Sequence, residues 1–374
     1  MNDFSLHRWT RALAVTVIVS AFCLSAAAFE TPDTDPTADP WGEGGVHKPQ
    51  VETGGSYDPY TGNATRVVRD FSVPGAVGSG LHFTRYWNST DFNFDVITFY
   101  GSSSAVLQPL GASGWRHSYY WWSGYQYDVT DYDGETRPPN QPPYSFEKFT
   151  LHVRYPDGKN ITAYTTRMVG LGQYSASPPL GFWNTGPNIT DRVEILTVVP
   201  GASGSGGDVA SFNLYRSDGS TVYFLGGKAT RIIDRFGLVH TLTYESSGAL
   251  STVKEPAGRV LRFTNSLITG AAPSPVILKV EALIPISPGS STFTTVKTID
   301  FTNWSVGGSS GYCAPQTVSY SDEPAPAIYN YQYVTGVAGG GLGTGAGWHS
   351  GGFILTRADD PHVEGKMTVI SYTY

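Results

Sequence analysis

Residues 230–266, TRIIDRFGLVHTLTYESSGALSTVKEPAGRVLRFTNS, state one pattern twice. An acidic residue precedes a glycine, and an alternating apolar run then ends in an aromatic. The first copy spans Asp234–Tyr244 and the second Glu255–Phe263. Alternation at period two is the mark of a half-buried strand, and the glycine marks where the chain reverses. The same order occurs earlier, in RYPDGKNITAY (154–164) and YRSDGSTVYFL (215–225). Gly237 and Gly258 stand 21 residues apart, with Gly248 turning the chain between them. A unit of this length is one hairpin, and an isolated hairpin cannot bury its apolar face. It must stack edge to edge with copies of itself, so that the apolar sides merge into one core. Degenerate later copies are expected at 318–333 and 357–374.

Composition points the same way. The chain has 44 Gly, 25 Pro and 23 Tyr but only 15% charged residues, so strand formers and turn residues outweigh the material for amphipathic helices. Strands are expected at Ala64–Phe71, Leu81–Tyr86, Ser118–Val129, Phe149–Tyr155, Ile161–Thr166, Arg192–Val199, Phe212–Tyr215 and Thr221–Leu225. Short turns built on Asp-Gly, whose two residues both tolerate positive φ, are expected at Pro156-Asp157-Gly158, Ser217-Asp218-Gly219 and Asp133-Gly134. The Pro- and Gly-rich stretches Glu135–Ser145, Ser175–Pro187 and the PGASGSGGD stretch from Pro200 are expected to be loops. The fold class is therefore all-β, built of antiparallel hairpins stacked into a coiled sheet and preceded by a β-rich N-terminal domain.

The first residues read as an export signal. Arg8 and Arg11 precede the apolar stretch Ala12–Leu24, and Ala26-Ala27-Ala28 offers a cleavage site before Phe29. The apolar stretch is too short for a lasting membrane span. Phe22 before Cys23 argues against a lipid anchor. Loss of residues 1–28 would lower the formal net charge of −7 by one more unit and leave Cys313 without a disulfide partner. A secreted or cell-surface destination follows, with stability drawn from a packed core. An acidic chain with scattered Arg argues against nucleic-acid binding. Residues 29–50, rich in Pro and Asp, read as a disordered leader. The organisation expected is a signal peptide (1–28), that leader (29–50), a β-rich N-terminal domain (51–210) and hairpin repeats (211–374).

The run IIDRFGLVHTLTYESSGALSTVKEPAGRVLRFT resembles the Tyr-Asp (YD) repeats of the RHS-repeat family of exported bacterial proteins. Upstream, DPYTGNATRVVRDFSVPGAVGSGLHFTRYWNST (58–90) and GWRHSYYW (114–121) resemble the domain that precedes such repeats. The landmarks stand in order: Gly62-Asn63; Asp70 with Pro74-Gly75; Arg85; and Trp115-Arg116-His117. In the repeats, Asp234, Gly237, Tyr244, Gly258 and Arg259 carry the likeness. It covers about 51–265 closely and 266–374 more loosely. The resemblance implies a long sheet coiled into a hollow shell that encloses or presents a polypeptide cargo such as a toxin, or mediates cell-surface interaction. The family's own chemistry lies in a later self-cleaving segment and a variable effector, and no RYYDP-type motif occurs here. The chain is thus expected to be the opening turns of a non-enzymatic structural protein, needing neither cofactor nor metal. Its last strand, near Val369–Tyr374, would offer an edge for a further repeat.

Other candidate chemistry carries a plainer reading. Asp128, Asp131, Asp133 and Glu135 cluster around a glycine, but position twelve of a calcium loop counted from Asp131 is Pro142, so a solvated turn is expected. Gly307-x-Ser309-x-Gly311 lacks the helix that a nucleophile elbow needs, as GGGLGTGAG (339–347) lacks the helix of a dinucleotide loop. The histidines beyond the signal segment (His47, His82, His117, His152, His240, His349 and His362) show no ligand spacing, and His117 is expected to hydrogen-bond in the core. Asp70 and Arg85 could form a buried pair between the first two strands. The five Asn-x-Ser/Thr sites read as composition. The aromatic run SYYWWSGYQY (118–127) admits two readings, core packing or a platform for sugar rings. On a regular strand, Tyr119, Trp121 and Tyr125 would share one face, with Tyr120 and Trp122 on the other. Contact with a cell-surface glycan through Tyr119, Trp121, Trp122 and Tyr125 is the alternative function.

Overall fold

The computed structural model describes residues 55–58, 63–75, 80–88, 110, 115–132, 143–174, 177–187, 189–201, 206–267, 275–307, 312–322, 325–334, 352–363 and 366–371. The signal and leader segments, Asp133-Gly134, residues 308–311 and residues 339–347 lie outside them. Every regular element described is a strand, and all pairings are antiparallel. No helix among these residues is long and apolar enough to cross a membrane.

Three sheets form. The first takes the order β1 (Gly55–Asp58), β2 (Asn63–Val73), β3 (Leu81–Asn88) and β4 (Trp115–His117). A three-stranded meander follows: β5 (Trp122–Tyr132), β6 (Tyr144–Arg154) and β7 (Asn160–Gly170). The third sheet has fourteen strands paired in strict chain order. It opens with β8 (Gly181–Trp183), β9 (Arg192–Val199), β10 (Asp208–Tyr215), β11 (Thr221–Leu225) and β12 (Lys228–Ile233). It continues through β13 (Val239–Tyr244), β14 (Leu250–Lys254), β15 (Val260–Ser266), β16 (Val276–Pro285) and β17 (Phe293–Gly307). It ends with β18 (Tyr312–Tyr320), β19 (Ala327–Val334), β20 (Gly352–Val363) and β21 (Lys366–Ser371). A single backbone bridge, Tyr164 to Asn184, joins the meander to the β8 end of this sheet.

The repeated sequence grammar is a repeated turn. In each of the segments 155–159, 216–220, 234–238, 245–249 and 255–259, the first N–H donates to the fifth carbonyl. The fourth N–H, always a glycine's, donates to the first carbonyl. That glycine is left-handed, with φ of 81° at Gly237 and 92° at Gly258. This is a three-residue loop with a glycine bulge, in which the glycine alone takes the positive φ that the sequence suggested for both Asp and Gly. The acid keeps an ordinary φ because its work is done by its side chain. Asp157 and Asp218 accept the N–H two residues on, at 3.0 and 2.8 Å. Asp234 and Glu255 reach the same fifth N–H from the first position, at 2.8 and 3.1 Å. The acid can therefore stand at either place and serve one donor. The Gly226-Gly227 turn, between β11 and β12, instead carries two positive φ values, 56° and 77°.

The left-handed geometry makes a direct prediction. Gly237→Val should destabilise the protein by ~1–2 kcal/mol in a denaturant titration, whereas Gly237→Asn should cost clearly less, since Asn tolerates this region. Equal losses would mean that the turn geometry is wrong.

Three sequence expectations need correction. The strand expected at Ser118–Val129 starts only at Trp122, because the chain turns first. Ser118 N–H donates to Thr84 O at 2.9 Å and Tyr120 N–H to His117 O at 2.8 Å, tying residues 117–120 to β3 instead of extending them. The facial alternation of the aromatic run is lost with it. The stretch Ser175–Pro187, expected as loop, contains the short strand β8, and Tyr144-Ser145 belong to β6.

One face of the long sheet is apolar and covered. Phe212, Phe224, Leu242, Val253, Phe263, Val280, Phe301 and Tyr329 are buried along it. The first sheet packs there: the Phe83 ring lies 6.0 Å from Phe263 and 6.4 Å from Phe301. Each buried phenylalanine contributes roughly 1.5–3 kcal/mol relative to an exposed one. The other face carries polar pairs directly across neighbouring strands, such as Arg262 with Glu281 and Lys279 with Asp300. Such exposed pairs are worth at most about 1 kcal/mol each, so the covered face dominates stability.

Candidate functional site

Two constellations draw the sequence-predicted residues together. The first is a buried anchor between β2, β3 and the far end of the long sheet. Asp70 is the extra residue of a β-bulge: pairing passes from Arg69–Thr84 straight to Phe71–Phe83. A bulge re-aims its side chain, here toward Arg85. Arg85 Nε donates to Asp70 Oδ2 at 2.7 Å and Nη2 to Oδ1 at 2.8 Å, with both side chains almost wholly buried. Nη2 also donates to the hydroxyls of Tyr320 and Tyr329, at 3.0 and 3.1 Å. Tyr320 in turn donates to Asp70 Oδ1 at 2.6 Å. Burial alone would lower the Arg85 pKa, but the facing carboxylate and the two phenols hold it well above the ordinary arginine value. Trp115 completes the cluster: the guanidinium lies 4.9 Å over its ring, and its indole N–H donates to Tyr331 at 2.9 Å.

Sequence reading pointed to Asp70, Arg85 and Trp115 but missed Tyr320, Tyr329 and Tyr331. The signal was present in the alternating tyrosines of IYNYQY, which put Tyr329 and Tyr331 on one face. Their partners, more than 200 residues away in sequence, could not be read.

His117, next to Trp115, is a core residue. Its ring lies 5.5 Å from Phe83 and 5.6 Å from Phe263, and its Nδ1 accepts the Tyr119 N–H at 3.3 Å. Burial pushes its pKa down from the ordinary 6.5 to about 3. The unfolded chain therefore takes up a proton on acidification that the folded one refuses. Stability should fall as pH drops from about 6.5 toward 3, by up to ~1.4 kcal/mol per pH unit. Denaturant midpoints at pH 7 and pH 5 should show this decline, and His117→Phe should flatten it. An unchanged slope would remove His117 as its source.

The second constellation is a cavity of about 320 Å³. Its walls bring together Tyr119, Tyr120, Trp121 and Trp122 from the aromatic run with the Gly226-Gly227 turn and Lys228. Tyr244, Leu250 and Ile277, from β13, β14 and β16, also line it. The aromatic run lands here because Ser123 Oγ donates to Gly227 O at 3.1 Å, docking the start of β5 on the repeat turn. Tyr119 and Trp121 are buried, while Trp122 is half-buried. Trp121 packs on Tyr155 at 5.0 Å and edge-on to Phe224 at 6.2 Å. Tyr125, expected on the same platform, is not in the cavity; its hydroxyl donates to Gly206 O and its ring lies 6.4 Å from Trp183.

The remaining landmark residues hold the scaffold. Asp234 closes its own turn, Tyr244 donates to Ala229 O at 2.7 Å, and Arg259 pairs with Glu255 at 2.8 Å. Arg116 is buried with its guanidinium 5.4 Å over Tyr120. Pro74 and Gly75 close β2, whereas Gly62 and the Asn63 side chain lie outside the described residues. Cys313 is buried, and burial pushes its thiol up to about 11, so it is largely protonated near neutrality. Asp128 and Asp131 accept hydrogen bonds from Gln126, Ser145 and Tyr174. Among the described residues no group of three His, Cys, Asp or Glu side chains could hold a metal ion.

Fold and site thus define an all-β protein of three antiparallel sheets. No protein-family model matches the chain, and no curated protein matches it.

Proposed function

We propose that this chain is a non-enzymatic exported structural protein, the opening segment of an RHS-type shell that encloses or presents a polypeptide. The observation that carries this reading is the long sheet itself: fourteen strands in chain order, with four reversals between β10 and β15 made by one glycine-bulge turn, at 216–220, 234–238, 245–249 and 255–259. Such a sheet grows by adding hairpins at its end, and its twist curls it as it lengthens. The first sheet covers part of the apolar face and is held there by Arg85. That leaves a wall whose inner side is built for burial and whose outer side is polar.

The experiment is protection of a partner. The chain is co-expressed with the polypeptide encoded next to it, purified, and treated with protease. Co-purification and slower digestion of the partner in the presence of the chain are expected. Digestion at the same rate with and without the chain would contradict the proposal.

A further inference from the structure

The cavity at the Gly226-Gly227 turn has a chemistry that the shell reading does not use. Its volume lies at the small end of ligand pockets, which span roughly 300–1,000 Å³. Tyr120, Trp121 and Trp122 wall one side, with Leu250 and Ile277 contributing aliphatic surface.

Several polar groups in its lining are committed to the protein, and the Trp121 indole N–H is the one buried side-chain donor there without a partner among the described residues. Asn265 Nδ2 donates to Glu245 Oε1 and to Leu250 O, at 3.0 and 2.8 Å. Ser123 and Tyr244 donate to backbone carbonyls, and His117 Nδ1 already accepts the Tyr119 N–H. A sugar brings many hydroxyls, each costing about 1–3 kcal/mol if buried without a partner. The cavity is therefore poorly matched to a glycan, despite its aromatic wall.

Lys228 is different. It is the lining's one Lys or Arg, it is half-buried, and its ammonium sits 5.3 Å over the Tyr244 ring. No carboxylate pairs with it among the described residues. An apolar chamber with a single uncompensated cation selects an apolar body bearing a single anionic group.

We propose that this cavity binds a small apolar carboxylate, an aromatic or medium-chain aliphatic acid. Its hydrocarbon body lies against Tyr120, Trp122 and Leu250, and its carboxylate meets Lys228. The proposal stands independently of the shell function.

Titration calorimetry of the full chain tests it, with sodium 3-phenylpropionate, its neutral counterpart 3-phenylpropanol, and cellobiose as probes. Saturable binding of the acid, about tenfold tighter than the alcohol, is expected, a difference of ~1.4 kcal/mol. Lys228→Met should bring the acid down to the alcohol's affinity and leave the alcohol unchanged. Leu250→Trp should fill the chamber and abolish both, with circular dichroism checking that it folds. If that variant is unfolded, the Lys228→Met comparison decides alone. Absence of saturable binding by the acid, acid binding indifferent to Lys228→Met, or cellobiose binding more tightly than the acid would each overturn the proposal.

Discussion

Asp70→Asn lowers the unfolding free energy by ~3–5 kcal/mol, measured by denaturant titration, because it strips a buried guanidinium of its counter-charge. Arg85 has nowhere to relax: its side chain is 1% exposed and is held between Trp115, Tyr329 and Phe301. The double variant Asp70→Asn/Arg85→Met should recover much of the loss, since a matched apolar replacement no longer buries an unpaired charge. If the double variant is as unstable as the two single losses added together, Asp70 and Arg85 do not act as a pair. The distinction matters because a buried pair of this kind fixes which surfaces meet more than it adds stability. It specifies that the bulge of β2 faces Tyr320 and Tyr329, a part of the long sheet reached only after many hairpins.

Phe83→Ala is expected to cost a similar ~3–5 kcal/mol, for a different reason. The ring is fully buried between two sheets, 6.0 Å from Phe71 and 5.5 Å from His117 on its own side. On the other side it meets Phe263 and Phe301. Its removal opens a cavity at the interface that neither sheet can close alone. The single unfolding transition should move to lower denaturant without splitting. Phe236→Ala is the control: that ring is 55% exposed in a turn, so its loss should stay within about 0.5 kcal/mol. A Phe83→Ala transition that splits in two would mean that the sheets fold separately.

The class of the fold was legible because its signals are local. Period-two alternation and recurring glycines in 154–164, 215–225 and 234–263 placed β6–β7 and β10–β15, and Arg192–Val199 and Thr221–Leu225 were read to the residue. What was misread depends on distant partners. Nothing within SYYWWSGYQY reveals that Ser118 would bond to β3 and break the run into a turn and a strand. As a result Tyr119 and Trp121 enter the core while Trp122 remains half-exposed. The turns at Asp157-Gly158 and Asp218-Gly219 were placed correctly, but only the glycine takes a positive φ, while each Asp acts through its side chain on the N–H two residues on. The cavity was half visible: its aromatic wall stood out, but Lys228 and the Gly226-Gly227 turn lie more than 100 residues away and are docked against it by the Ser123 bond.

The anchor and the cavity occupy neighbouring parts of the same interface. His117 lines the cavity, and Trp115, two residues earlier, packs on Arg85. A small carboxylate in the cavity would thus sit beside the junction that holds the two sheets together.

Hydrogen exchange followed by mass spectrometry tests the union of those sheets most directly. Backbone amides of Leu81–Asn88 and of Ala327–Tyr331 should open with the same free energy in the wild-type chain. Asp70→Asn should lower the protection of both segments by the same amount. Loss of protection in Leu81–Asn88 alone, with Ala327–Tyr331 unchanged, would contradict the union of the two sheets through Arg85.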